Sequence, residues 1–447
     1  MKFTINKQAE LTPALLQKLI DKFKVNELPK LQKWKNYYDG KHAILNKTYA
    51  DASKECNHVI TNYCKIIADT YSGYICGKPV SYTSNQPIDD IQECINYNDS
   101  AAEDMLWCSN ALIYGVAYEL QWIDKYSQVR YSQVSPLNSF AVYDNTLDSE
   151  LLYFVRWYKT DNFNESDIYN IEVYSANDIK TYETHGLGGD LKLIKEEPHY
   201  FGDVPVSVFV LNDAKESIFN SIISLNDAYN ELQSSEIDDY NAFVDAFLTL
   251  EGVDAESDDI SAMKENRVLI LPAGSKAEWL TKNTSDTQIT NMLENIKKNI
   301  FKVSACPDMA DETFLAQSGT ALAYKLVGFE NVASGIVAQF TKALQRRIEL
   351  ICNILNLKAS DAMWRDININ FVRNIPVNLT DIIQLVNNLK GTVSDATLLS
   401  QLPFIDDVNA ELEALQKQKE QNIALYGFGH TDNSEDSEDD NNGDDEE

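Results

Sequence analysis

Residues 285–357 constrain the fold more than any other stretch of this chain, because they read as two amphipathic helices joined by a broken loop. The first helix is expected from Ser285 to Val303. Ser285 and Gln288 form an S-x-x-Q capping box, and Ile289, Leu293, Ile296 and Ile300 recur on one helical face. Pro307 lacks a backbone N–H and disfavours helix at Cys306, so the helix should stop there. A second helix is expected from about Gly319 to Leu357, with an apolar face running through Leu322, Leu326, Phe329, Ala333, Ile336, Phe340, Leu344, Ile348, Ile351 and Leu355. At a 1.5 Å rise it spans about 57 Å, far beyond the usual three or four turns. A helix of that length with one apolar face needs neighbours along it. Gly328 and Gly335 lie inside it, each costing about 1 kcal/mol relative to Ala, which points to a bend or to close packing against a neighbour.

The flanking segments complete an α+β, mainly helical chain. Residues 1–110 read as helical: Thr12 and Pro13 supply an N-cap and N1, Pro29 opens a helix that ends at Gly40, and Ile60–Tyr74 is amphipathic. Residues 111–211 change period. Ala111–Ile123, Gln128–Val134, Phe140–Tyr143, Leu151–Tyr158, Ile168–Tyr174, Ile179–Thr184 and Val204–Leu211 read as short strands in hairpins. Gly186, Gly188 and Gly189 are expected to form a hairpin turn, since no helix follows them as a phosphate loop requires. Residues 214–250 are expected to form a second long helix, with Ile218, Ile222, Leu225, Tyr229, Leu232, Tyr240, Val244 and Phe247 on one face and acid at Glu236, Asp238 and Asp239. Residues 251–284 read as a small α/β insert: Val268–Leu271 a strand, Pro272–Gly274 a turn, Glu278–Thr281 a second strand. Residues 366–373 alternate as a strand, and helices are expected over Asp381–Leu389, Asp395–Leu402 and Asn409–Tyr426.

Charge excludes some functions. The net charge is −31, of which −10 sits in the low-complexity tail from Thr431, expected to be disordered. Residues 1–78 run the other way, with thirteen lysines against seven acids. A chain this acidic lacks the cations that grip phosphates, so tight nucleic-acid binding is not expected. Seven scattered cysteines, never C-x-x-C, suggest reduced thiols. No signal peptide and no membrane span are expected. There is no G-x-S-x-G, Walker A or H-E-x-x-H. Cys56 and His58 could hold one edge of a metal site but have no second pair at matching spacing. The doublets Asp89-Asp90, Asp238-Asp239, Asp258-Asp259 and Asp406-Asp407 could serve a metal-dependent nuclease, yet acidic doublets are ordinary in a chain with 69 acids. No enzyme activity, metal or cofactor is expected.

The run PDMADETFLAQSGTALAYKLVGFENVA from Pro307, followed by an aliphatic helix carrying Arg346 and Arg347, resembles the Gp6-like portal proteins of tailed bacteriophages, the family typical of phages of Gram-positive bacteria. Tyr37–Gly40 with Ile66–Pro79, then Ile222–Gly252, then Val393–Leu412 match the same pattern in the same order. The resemblance implies a dodecameric ring at one capsid vertex of the virion, assembled in the host cytoplasm, through which double-stranded DNA is packaged and ejected. It implies partners in terminase, head-completion adaptor, scaffolding and major capsid proteins, and no membrane. It assigns 1–213 to a wing, 214–250 and 285–303 to stem helices, 251–284 to a clip, 304–319 to a tunnel loop, 320–377 to a long wing helix and returning strand, 378–430 to a crown, and 431–447 to a tail. The loop would present Pro307, Asp308, Asp311, Glu312, Phe314 and Leu315 to the channel, with Lys297, Lys298 and Lys302 as basic residues near DNA or in intersubunit ion pairs. The rival expectations are another structural phage ring or assembly protein, and a metal-dependent nuclease.

Overall fold

In this computed structural model the structure describes residues 2–50, 56–160, 167–244, 248–251, 274, 276–279, 286–310, 319–357, 363–374, 379–399, 402, 405 and 408–426. They fall into two compact units, Met1–Asn374 and Ile375–Glu447. The first unit runs β1 (Phe3–Ile5), α1 (Pro13–Asn26), α2 (Leu28–Tyr38), α3 (Tyr63–Cys76), β2 (Ser81–Thr83), α4 (Asp89–Tyr97) and α5 (Ser100–Tyr114). Eight strands follow: β3 (Val116–Ile123), β4 (Val129–Val134), β5 (Ser139–Asp144), β6 (Leu151–Lys159), β7 (Ile168–Tyr174), β8 (Asp178–His185), β9 (Lys192–Pro198) and β10 (Val206–Val210). Then come α6 (Ile223–Val244), an antiparallel pair β11 (Leu248–Glu251) and β12 (Lys276–Trp279), α7 (Asp286–Val303), α8 (Gly319–Leu357) and β13 (Asn368–Asn370). The second unit holds α9 (Leu379–Leu389), α10 (Asp395–Leu399) and α11 (Val408–Tyr426).

The local signals act as their chemistry dictates. Thr12 caps α1, its hydroxyl accepting from the Leu15 amide at 3.3 Å, with Pro13 at the first helical position. Six strands form one sheet in the order β1-β5-β6-β7-β8-β9, antiparallel except where β1 joins β5 in parallel. The glycine run after His185 turns β8 into β9, with Gly186 in the left-handed region at φ 70°. A second sheet, β10-β3-β4, is packed on both faces at β3. Val116, Tyr118 and Leu120 alternate toward Phe154 of the large sheet, while Ala117, Glu119 and Gln121 are buried on the other face. Gly115 makes the turn from α5 into β3 at φ 74°, where a Cβ would fall 2.4 Å from the Lys215 backbone.

The face expected of α8 is its buried face: Leu326, Phe329, Ala333, Ile336, Phe340, Leu344, Ile348 and Ile351 are all in the core. Phe340 stacks on Phe209 of β10 at 4.7 Å and takes Trp107 of α5 edge-on at 5.5 Å. Arg347 lies on the same face and is fully buried. Its Nε donates to Glu119 Oε1 at 2.8 Å, and its Nη1 sits 2.6 Å from Asp104 Oδ1 in an ion pair whose angle falls outside hydrogen-bond geometry. The guanidinium also lies over Tyr131 at 4.4 Å and Trp107 at 5.1 Å. Burial raises the Glu119 carboxyl to about 7 and raises that of Asp104, the guanidinium pulling both back. This triad fastens α8 to β3 and α5.

Several expectations shift. Ala111–Tyr114 end a helix rather than begin a strand, because Leu112 and Ala111 pack as the buried face of α5. Phe3–Ile5 form a strand within the expected helical region, and Lys192–Pro198, too polar to read as a strand, form the sheet edge. The helix expected over 214–250 runs only Ile223–Val244, preceded by a 3-10 turn Asn220–Ile222 and followed by β11. The strand expected at 366–373 is confined to Asn368–Asn370, paired with β2. The helix before Pro307 does end at Val303, as expected, and Ala305 beyond it turns left-handed at φ 53°. Among the described residues, no atom of another element lies within 4 Å of where a Cβ on Gly328 or Gly335 would stand, so no close approach there calls for glycine. Ser285, the strand at Val268–Leu271, and the tail lie outside the described residues.

Candidate functional site

The candidate site is the turn between α7 and α8, and it is built from one short helix. α3 carries Tyr63, Tyr71 and Tyr74 at spacings of eight and three, all buried. Tyr63 meets Tyr229 of α6 at 5.2 Å and Phe301 of α7 at 5.7 Å, both edge-on. Tyr71 donates to the Ser304 carbonyl at 2.9 Å, just past the end of α7, and packs on Phe329 of α8 at 4.4 Å. Tyr74 packs on the same ring at 4.6 Å and donates to Glu330. Arg373 also grips Glu330, at 2.9 Å, and the Asn374 amide donates to the Tyr74 carbonyl at 3.2 Å. Burial opposes ionisation of Glu330, but donors on Arg373, Tyr74 and Ser334 hold its carboxyl below the ordinary value. α3 is therefore fixed to Ser304, just past α7, and to Phe329 and Glu330, about three turns into α8.

At the loop's entry Cys306 is buried, and burial pushes its thiol up to about 12. Asp308 forms an ion pair with Lys297 of α7 at 2.7 Å and accepts from the Ala310 amide at 3.1 Å. Pro307 stands two residues after the left-handed Ala305, and Met309 is exposed. Lys298 pairs with Glu294, one turn back, at 3.7 Å, and Lys302 is exposed. The structure thus brings Lys297 to Asp308 and leaves Lys298 and Lys302 on the α7 surface. Asp311, Glu312, Phe314 and Leu315 lie outside the described residues.

Sequence reasoning missed how α6 is held. The extended segment 57–63 runs along it. The amides of Tyr63, Thr61, Val59 and Asn57 donate in turn to Asn226 (3.2 Å), Asn230 (2.9 Å), Ser234 (3.0 Å) and Asp238 (2.8 Å). Two residues of extended chain advance about 6.6 Å and four of helix about 6 Å, so the two repeats stay in step. Asn230 is oriented by His42, whose buried Nδ1 accepts from the Asn230 amide at 3.0 Å while Nε2 donates to the Tyr37 carbonyl at 3.0 Å. Burial lowers the His42 pKa. The signal was present in the sequence as Asn226, Asn230, Ser234 and Asp238, four apart on one face.

Cys56 Sγ lies 3.6 Å from His58 Nε2, but that nitrogen is 2.9 Å from the Lys47 carbonyl. Asp238 accepts from the Asn57 side chain and from the Tyr49 hydroxyl, both at 2.8 Å. Among the described residues no group of three or more His, Cys, Asp or Glu is placed to share a metal ion, and no helix is long and apolar enough to cross a membrane.

Against this geometry, the family described as "Phage portal protein, SPP1 Gp6-like" matches residues 17–424. The chain is also similar to the portal protein of Bacillus phage SPP1, 22% identical over 452 residues covering 94% of this chain and 89% of that protein.

Proposed function

The chain belongs to the SPP1 Gp6-like family of phage portal proteins, and from that premise we propose that it assembles as a dodecameric ring at one capsid vertex. The ring is the channel for packaging and ejecting double-stranded DNA, without sequence preference. The family is a structural one, and the portal role makes the chain a component of the phage virion. On this reading residues 1–213 form the wing, 214–250 and 285–303 the stem helices, 251–284 the clip, 304–319 the tunnel loop, 320–377 the long wing helix and returning strand, and 378–430 the crown. The clip docks terminase during packaging and the head-completion adaptor afterwards. Scaffolding and major capsid proteins meet the outer surface during assembly in the host cytoplasm.

The observation that carries this reading is the grip of α3 on three helices around one loop. A translocation channel needs a short segment that can move while its supports do not. Tyr71 supplies one such support at the loop's entry, through the Ser304 carbonyl, and packs on Phe329 within α8. The acidic balance of the chain suits passage, since a wall of bound phosphates would add friction. The test is negative-stain imaging of purified protein with native mass measurement. Rings of about a dozen copies around an open channel are expected. Monomers, or closed particles without a channel, would overturn it.

A further inference from the structure

A half-open groove of about 560 Å³ lies between the start of α4 and the 3-10 turn Trp364–Asp366. Its floor is apolar, from Ile88, Met363 and Ile367, and Met363 is 68% exposed. Its rim is acidic: Asp89 and Asp90 on one wall, Asp366 on the other, all three exposed. Among the described residues none of these carboxylates has a cation partner. An apolar floor inside a negative rim suits a cationic segment with an apolar tip.

The chain itself carries such a segment. Residues 1–78 hold a surplus of six positive charges while the rest of the chain is strongly negative. Lys18, Lys22 and Val25 stand at i, i+4 and i+7, on one face of α1. Both lysines are exposed and, among the described residues, make no ion pair; Val25 is 73% exposed. No ion pair joins this face to the groove within one subunit.

We propose that the groove of one subunit receives the Lys18, Lys22 and Val25 face of the next copy. The contact joins two different surfaces, so it is head-to-tail and propagates around a ring. It rests on the ring reading above and adds to it a named, salt-sensitive lateral contact.

The test is a charge swap read by native mass measurement at about 0.15 M salt. Asp89→Lys with Asp90→Lys is expected to lower the fraction of protein in rings about tenfold, as is Lys18→Glu with Lys22→Glu; the four together should restore most of it. Circular dichroism checks that each variant folds. A direct check places cysteines at Val25 and Met363, where a short bismaleimide should yield covalent multimers on a denaturing gel. Rings unchanged in both charge variants, or only monomers after cross-linking of assembled rings, would overturn the contact and leave the portal reading standing. Wild-type protein without rings would overturn both.

Discussion

Arg347→Met should be among the most destabilising single changes in this chain. Arg347, Glu119 and Asp104 are essentially without solvent exposure. The guanidinium makes charge-assisted bonds to Glu119, each worth about 1.5–3 kcal/mol, and lies over two aromatic faces worth up to about 2 kcal/mol when desolvated. Taking three charges out of water costs several kcal/mol per ion, which offsets most of that. What the single substitution exposes is the remainder: two buried carboxylates with no counter-charge, a loss of about 3–5 kcal/mol. The triple change Arg347→Met, Glu119→Gln, Asp104→Asn removes the charges together and should recover most of it. The pH dependence has a definite sign. Without the guanidinium, burial raises both carboxyls further above the unfolded value near 4. The native state then binds protons that the unfolded state does not, so stability falls as pH rises. The gap between variant and wild type should therefore widen from pH 5 to pH 8. Denaturant titration followed by tryptophan fluorescence measures it, since Trp107 stacks on the guanidinium. A loss under about 1 kcal/mol, or a gap that narrows with pH, would falsify the account.

The remaining predictions follow from the site. Tyr71→Phe leaves the Ser304 carbonyl unpartnered and should cost about 1–2 kcal/mol, with amide exchange faster at residues 304–310 than in the rest of α7; uniform exchange would show that Tyr71 does not hold the loop. Asn230→Ala strands the Thr61 amide and His42 Nδ1, a loss of about 1–3 kcal/mol seen as weakened protection of the Thr61 and Val59 amides. His42 has a folded pKa below 6.5, so the unfolded state takes up its proton first, and stability should fall as pH drops through about 6.5. Replacing His42 with Asn should flatten that part of the profile; an unchanged profile assigns the loss elsewhere. Replacing Asp308, Asp311 and Glu312 with lysine should leave rings intact but slow packaging, with partial rescue by salt. Wild-type packaging by that variant in low salt would remove the loop from the channel.

How much was legible in the sequence depended on whether the signal was local. The bounds of α8 were readable because an apolar residue every three or four positions persists for ten turns. The α1 cap and the β8–β9 turn were readable because Pro13 fixes its own φ behind a capping Thr12 and because a glycine run admits the left-handed φ of a tight turn. The sequence could not say that Arg347 would sit inside that apolar face, because an arginine is buried only if two carboxylates more than two hundred residues away converge on it. Lys192–Pro198 has no strand pattern of its own; pairing with β8 makes it one. The polar face of α6, Asn226, Asn230, Ser234 and Asp238, gains its meaning from segment 57–63 lying along it, whose amides two residues apart match side chains four apart. Periodicity is a property of a segment and can be read one residue after another. Which carboxylate meets which guanidinium, and which extended segment lies on which helix, depends on long-range closure of the chain, and only the tertiary structure decides it.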